Sequence, residues 1–203
     1  MLEFLGKGGV FIAPILLCSV VAVAIFLERL FSLRRQRVVP AELARRAEAL
    51  VADRDLAGAM ELLRQSRSAV ARVLVAGLRM AGQSRDIIKD HLEEAGRQEA
   101  AGLERFVDTL GTIAGVSTLL GLLGTISGMI QIFAVISTQT AVNPGTLAGG
   151  ISEALITTMV GLSVAIPVIV MHRYLLNKAS SLILEMERLS TRFADLLCDG
   201  PKD

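Results

Sequence analysis

Two stretches of the chain are almost free of charge, and they set its architecture. Gly8 to Leu27 holds 20 residues with no charged side chain. At about 1.5 Å per residue that run covers the roughly 30 Å of a bilayer's hydrocarbon core, so it predicts a first transmembrane helix. Lys7 is the only basic residue before it, and it ends in Glu28-Arg29 with no small-residue cleavage pattern, which disfavours a cleaved signal peptide. From Thr109 to His172, 64 residues carry one charged side chain, Glu153. That block is too long for one span. The polar and turn residues between Thr138 and Gly145 divide it into a hairpin of two helices, about Thr109 to Phe133 and Thr146 to Met171.

The segment between the apolar blocks reads as helical throughout. Pro40-Ala-Glu-Leu opens one helix with Leu43, Ala47 and Leu50 at helical spacing, and Asp55 is the expected cap of a second through Leu62 and Leu63. A third covers about Arg67 to Met80, before a break at Gly82-Gln-Ser. From Ser84 one long helix is expected to run directly into the second span, with Ile88, Leu92, Ala95, Phe106 and Leu110 on a stripe that Glu99 interrupts. After the third span, Leu175, Ala179, Leu182, Met186, Leu189, Phe193 and Leu196 alternate spacings of four and three, a heptad seam. The seam suits packing against copies of itself, against the long helix before the second span, or within one chain; an oligomer is the preferred reading.

Charge supplies the orientation. Of 21 Lys and Arg residues, fifteen lie between Arg29 and Arg105, starting with Arg29, Arg34, Arg35 and Arg37, and the hairpin loop has none. The positive-inside rule then puts the middle segment and the C-terminus in the cytoplasm, with the N-terminus and hairpin loop outside. The expected division is 1–27 for the periplasmic end and first span, 28–108 for a cytoplasmic helical segment, 109–172 for the hairpin, and 173–203 for a cytoplasmic helix and tail. A net charge of +1 and 4% aromatic residues without Trp argue against a nucleic-acid partner, and membrane lipid is the expected surroundings. Cys18 and Cys198 do not suggest a disulfide framework, and His91 and His172 lack metal-ligand spacing.

An ionised carboxylate at mid-bilayer costs on the order of 2.5–3.5 kcal/mol on the insertion scales, so such residues usually face a cavity and mark an ion path. Burial disfavours the charged form of a carboxyl, so Glu153 is the leading candidate to exchange a proton. The competing readings are a Glu near the interface and one that only bonds helices together. Counted from a loop centre between Gln139 and Thr140, Glu153 falls nearly level with Thr125, with Thr157 and Thr158 a turn further in; together they predict a short polar patch. Membrane Thr residues also often just satisfy backbone carbonyls. Small residues predict close packing of the second and third spans: the stripe Gly111, Gly115 and Thr118, the motif Gly124-Thr-Ile-Ser-Gly128, and Gly150, Ala154 and Gly161. The Leu- and Val-rich first span is then the one facing lipid. Because a proton crossing a bilayer needs several sites and the chain offers one carboxylate, a membrane-spanning partner carrying another acid is expected.

The stretch from Leu122 to Ile130 (LLGTISGMI) and that from Pro144 to Pro167 (PGTLAGGISEALITTMVGLSVAIP) resemble the signature hairpin of the MotA/TolQ/ExbB proton-channel family. Pro14, Ser19 and Glu28-Arg29 resemble its first-span pattern, and three spans with a large first cytoplasmic segment are similar to ExbB and TolQ. The resemblance implies an all-α integral membrane protein with long cytoplasmic helical extensions. It implies a pentameric ring, a homo-pentamer in the bacterial inner membrane. The ring would enclose an ExbD/TolR-like single-span dimer whose aspartate is the missing acid, and pass work to a TonB/TolA-like envelope protein. The family's functional positions map onto Thr125, Glu153 and Thr158. It further implies no cofactor, protons being the transported ion, and no enzymatic activity. Where ExbB and TolQ commonly carry an aromatic residue two positions after the second-span Thr, this chain has Ser127. A non-conducting membrane scaffold is the alternative expectation; a solute transporter or an enzyme fits less well, since no inverted repeat, nucleophile–base pair or phosphate loop is visible.

Overall fold

A computed structural model of the chain describes residues 10–138 and 144–198. The expected N-terminal end at 1–9, the centre of the hairpin loop at 139–143 and the tail at 199–203 lie outside the described residues. Among the described residues every regular element is a helix: α1 (Ile12–Ser32), α2 (Arg35–Val38), α3 (Ala41–Ala52), α4 (Leu56–Arg64), α5 (Ala69–Leu78), α6 (Arg85–Glu104), α7 (Val107–Thr138) and α8 (Pro144–Cys198). Helices α1, α7 and α8 are long and apolar enough to cross a membrane. Two compact units emerge, one from residues 1–27 and 106–174, the other from residues 28–105 and 175–203.

In the second unit the chain turns where its polar residues cap. The Asp55 side chain accepts from Gly58 N at 2.8 Å, and Ser68 Oγ accepts from Ala71 N at 3.3 Å, fixing the starts of α4 and α5. Gly82, at φ +89°, takes the left-handed backbone that ends the α5 turn region. Helix α3 buries Ala44, Ala47 and Val51, a face rotated slightly from the expected Leu43, Ala47 and Leu50. The core also holds Leu63, Leu74, Ile88, Leu92 and Phe193. Gly77 lies where a Cβ would meet Leu92 Cδ2 at 2.7 Å, so α5 sits close on α6. Pairs Arg35–Glu185, Arg72–Glu99 and Arg85–Asp195 stitch the rim, and the hydrogen bonds that the guanidinium groups donate to these carboxylates are the main reason the three guanidinium pKa values are raised.

Two expectations change here. The helix from Ser84 does not run straight into the second span. Arg105 (φ −51°, ψ 135°) and Phe106 (φ 64°) have the backbone of the central pair of a type II turn, so α6 stops and α7 starts afresh. Phe106 consequently leaves the apolar stripe, is 44% exposed, and Leu103 takes the buried place. The heptad seam is spent inside one chain: Leu175, Ala179, Leu182, Met186, Leu189 and Phe193 are all buried within the second unit, and Leu197 rather than Leu196 completes them. The seam therefore offers no support for an oligomer.

The first unit is organised by the crossing of α7 and α8, which is made of glycine. A Cβ at Gly161 would sit 2.7 Å from Ser117 O and 3.0 Å from Gly121 Cα, both backbone atoms. A Cβ at Gly124 would lie 2.3 Å from Thr157 Cγ2, one at Gly128 2.8 Å from Ala154 Cβ, and one at Gly150 2.7 Å from Ile132 Cγ1. The contact stripe is thus Ser117, Gly121, Gly124 and Gly128 on α7 against Thr157, Gly161 and Ala154 on α8. Gly115 of the expected stripe is outside it, with nothing within 4 Å of a Cβ, whereas Gly111 faces the His172 ring at 3.3 Å. All three spans keep apolar faces exposed, among them Val20 of α1, Leu119 of α7 and Val170 of α8 at 63–68%.

Gly161→Ala lowers the thermal unfolding midpoint in detergent because backbone must move to admit the methyl, while Gly115→Ala leaves it unchanged or raised through helix propensity worth up to about 1 kcal/mol. Phe193→Ala destabilises the second unit by about 3–5 kcal/mol, against less than about 1 kcal/mol for Leu184→Ala at an exposed position, as read by chemical unfolding.

Candidate functional site

The candidate residues sit around the glycine crossing, and its register decides which of them meet. Helix α7 ends at Thr138 and α8 begins at Pro144, so the midpoint of the hairpin falls at residue 141 rather than between Gln139 and Thr140. The contacts agree: Gly124 opposes Thr157, and Gly128 opposes Ala154. Thr125 is therefore level with Thr157, not with Glu153, which lies about one helical turn nearer the hairpin loop.

Rotation separates them further. In an antiparallel pair, stepping one residue forward from a contact on both helices carries both side chains to the same flank; stepping one back carries both to the opposite flank. Forward from Gly124 and Thr157 come Thr125 and Thr158. Their hydroxyls donate to neighbouring carbonyls of α7, Thr158 Oγ1 to Gly121 O at 2.7 Å across the helices and Thr125 Oγ1 to Leu122 O at 2.6 Å. Back from Ala154 comes Glu153, about 140° around α8 from Thr158, since five residues turn the helix through about 500°. Thr157 lies between the flanks, is 2% exposed, and donates from Oγ1 to Glu153 O at 3.0 Å.

The structure thus brings Thr125 and Thr158 together and leaves Glu153 on the other side of the crossing. The Glu153 carboxyl is partly exposed and makes no hydrogen bond or ion pair with any described residue. A membrane-embedded acid in that state is available to a ligand, a proton or another chain. The Thr125 and Thr158 hydroxyls each donate to a backbone carbonyl and keep acceptor lone pairs for water or a partner's donor, whereas Thr157 is buried in the crossing. Gly124, Gly128 and Gly161 are packing residues: their missing side chains allow the approach.

Sequence reasoning missed Gly121 and Ser117 at the closest approach, although the run Ser117, Gly121, Gly124, Gly128 has the four-three-four spacing of a small-residue seam. Ser117 is fully buried and donates from Oγ to Ile113 O at 2.8 Å. It also missed the end of the crossing farthest from the hairpin loop, where His172 Nε2 lies 3.8 Å from Asp108 Oδ1, beyond hydrogen-bond range. Among the described residues no three His, Cys, Asp or Glu side chains gather as a metal site.

Comparison with known proteins converges on the same hairpin. Residues 65–188 match the MotA/TolQ/ExbB proton channel family. A protein named as biopolymer transport protein ExbB-like 3, from Synechocystis sp., is 34% identical over 167 residues, covering 78% of this chain and 77% of the relative. A second from the same organism, named ExbB-like 1, is 33% identical over 88% of this chain and 71% of its own length. A biopolymer transport protein ExbB homologue of Methanothermobacter thermautotrophicus is 29% identical over 92% of this chain and 67% of its own. With three helices fit to cross a membrane, a family match over more than half its length and these relatives, the chain belongs to the MotA/TolQ/ExbB proton channel family.

Proposed function

We propose that this chain is the ring-forming, proton-conducting subunit of an inner-membrane motor of the ExbB–ExbD or TolQ–TolR type, which turns the proton motive force into work on envelope proteins. The observation that carries the reading is Glu153. It is the one charged residue between Thr109 and His172 of a proton-channel family member, and its carboxyl has no partner among the described residues. The fifteen basic residues between Arg29 and Arg105 support a cytoplasmic second unit, with the N-terminus and hairpin loop periplasmic. Thr125 and Thr158 supply acceptors for protonated groups moving past the α7–α8 wall, with Thr157 buried beside them as part of the same polar path.

A single chain is not a conduit on this reading. The crossing is closed by backbone contact, so protons travel along its outer faces, between these residues and an acid on another chain. Five copies around an ExbD/TolR-like pair of single-span helices supply that arrangement, with a TonB/TolA-like protein receiving the work and no cofactor other than the transported proton. One charge falling through 100 mV releases about 2.3 kcal/mol, enough to shift a two-state contact severalfold per step and too little to unfold a domain.

A membrane scaffold that conducts nothing is the second reading, favoured by the engagement of the threonine hydroxyls with backbone carbonyls. The two separate at one residue. In complex reconstituted with its partner, Glu153→Gln keeps hydrogen bonding and loses the titrating proton: the motor reading expects proton flux to fall at least about tenfold with assembly intact. Flux at the wild-type level in Glu153→Gln, with assembly lost only in Glu153→Ala, supports the scaffold.

A further inference from the structure

The flank that holds Glu153 carries two further polar side chains of α7. Stepping one residue back from the contact between Gly128 and Ala154 reaches Ser127 and Glu153 together, on one side of the crossing. The same step from the contact between Ile132 and Gly150 reaches Gln131, on that side again. Ser127 and Gln131 are four apart on α7, hence on one stripe. Along the axis Glu153 falls midway between them, about 3 Å from the level of each, given the 1.5 Å rise and the antiparallel register. Ser127 and Glu153 are partly exposed and Gln131 is exposed, and none of their side chains makes a hydrogen bond or ion pair with a described residue. Three unpaired polar side chains together on an otherwise apolar membrane surface are costly unless they serve one another or a shared water.

We infer that Ser127 and Gln131 are positioning residues for Glu153, holding its carboxyl, directly or through one water, in both protonation states. The proposal rests on the proton-handling role of Glu153. When Glu153 is ionised, the Gln131 amide N–H and the Ser127 hydroxyl donate to its oxygens. When a proton arrives on one carboxyl oxygen, the Gln131 carbonyl or the Ser127 oxygen accepts the new O–H. An amide and a hydroxyl each carry donor and acceptor, so the exchange proceeds without leaving either state of the acid unsolvated. A phenylalanine or tryptophan at position 127 has no oxygen to accept the new O–H, which gives the Ser at this position a chemical consequence.

The test is infrared spectroscopy of the full chain in lipid vesicles at acid pH, where a protonated carboxyl shows its C=O stretch, with Glu153→Gln used to assign the band. Gln131→Leu and Ser127→Ala are expected to move the Glu153 band to higher wavenumber, as loss of a hydrogen bond does, and their combination to move it further. Gln131→Asn and Ser127→Thr restore the wild-type position. A band unmoved by both Gln131→Leu and Ser127→Ala overturns the inference, as does an equal movement from Thr125→Val on the opposite flank. The measurement needs neither flux nor partner, so it stands apart from the fate of the motor reading: normal flux in Glu153→Gln with a band that responds to Gln131 would sink the motor and keep the polar trio.

Discussion

Backbone contact between α7 and α8 is the constraint on which the membrane-crossing unit depends. At Gly121 and Gly161 the two helices meet with no side chain between them. In lipid, where apolar burial gives helices no net reason to associate, such close approach supplies the dispersion contacts that hold them. It has a cost as well as a benefit: the seam has no room for a file of water, and apart from Ser117 and Thr157, whose hydroxyls bond carbonyls of their own helices, the candidate polar side chains lie on the two flanks. Thr125 and Thr158 fall on one, Glu153 with Ser127 and Gln131 on the other. One geometric fact therefore holds the hairpin together and, on the proposed reading, sends proton traffic to its outer faces.

The second unit rests on different physics. Its buried seam of Leu175, Met186 and Phe193 and its rim of Arg–carboxylate pairs are those of a protein packed in water. Helix α8 runs unbroken from Pro144 to Cys198, through Pro167, and contributes residues to both units. Between α6 and α7 the helix is instead interrupted at Arg105 and Phe106, where a large residue has positive φ. That conformation costs a non-glycine residue of order 1–3 kcal/mol and persists only where its surroundings hold it.

Much of this was legible in the residues. Charge scarcity located all three spans, capping chemistry at Asp55 placed the start of α4, and the four-three spacing after Leu175 named the buried seam almost residue for residue. Three things were not legible, for physical reasons. A positive φ at Phe106 has no signature in composition, so the break after Glu104 read as helix. A heptad pattern specifies that a face is covered but not by what, so the seam could not be assigned to one chain. Register between helices depends on where each one ends, and placing the hairpin midpoint one and a half residues early put Glu153 beside the wrong threonine. The family resemblance marked Thr125, Glu153 and Thr158 as a set, while the structure separates them across the crossing, a separation that motif matching alone does not register.

The central claim is that Glu153 handles protons only in concert with an acid on a second chain. Proton flux into vesicles containing this chain alone, compared with vesicles that also hold its single-span, acid-bearing partner, tests that claim most directly. The account predicts no flux above the lipid background for the chain alone and partner-dependent flux that Glu153→Gln abolishes. Equal flux with and without the partner, or partner-dependent flux indifferent to Glu153→Gln, would contradict it.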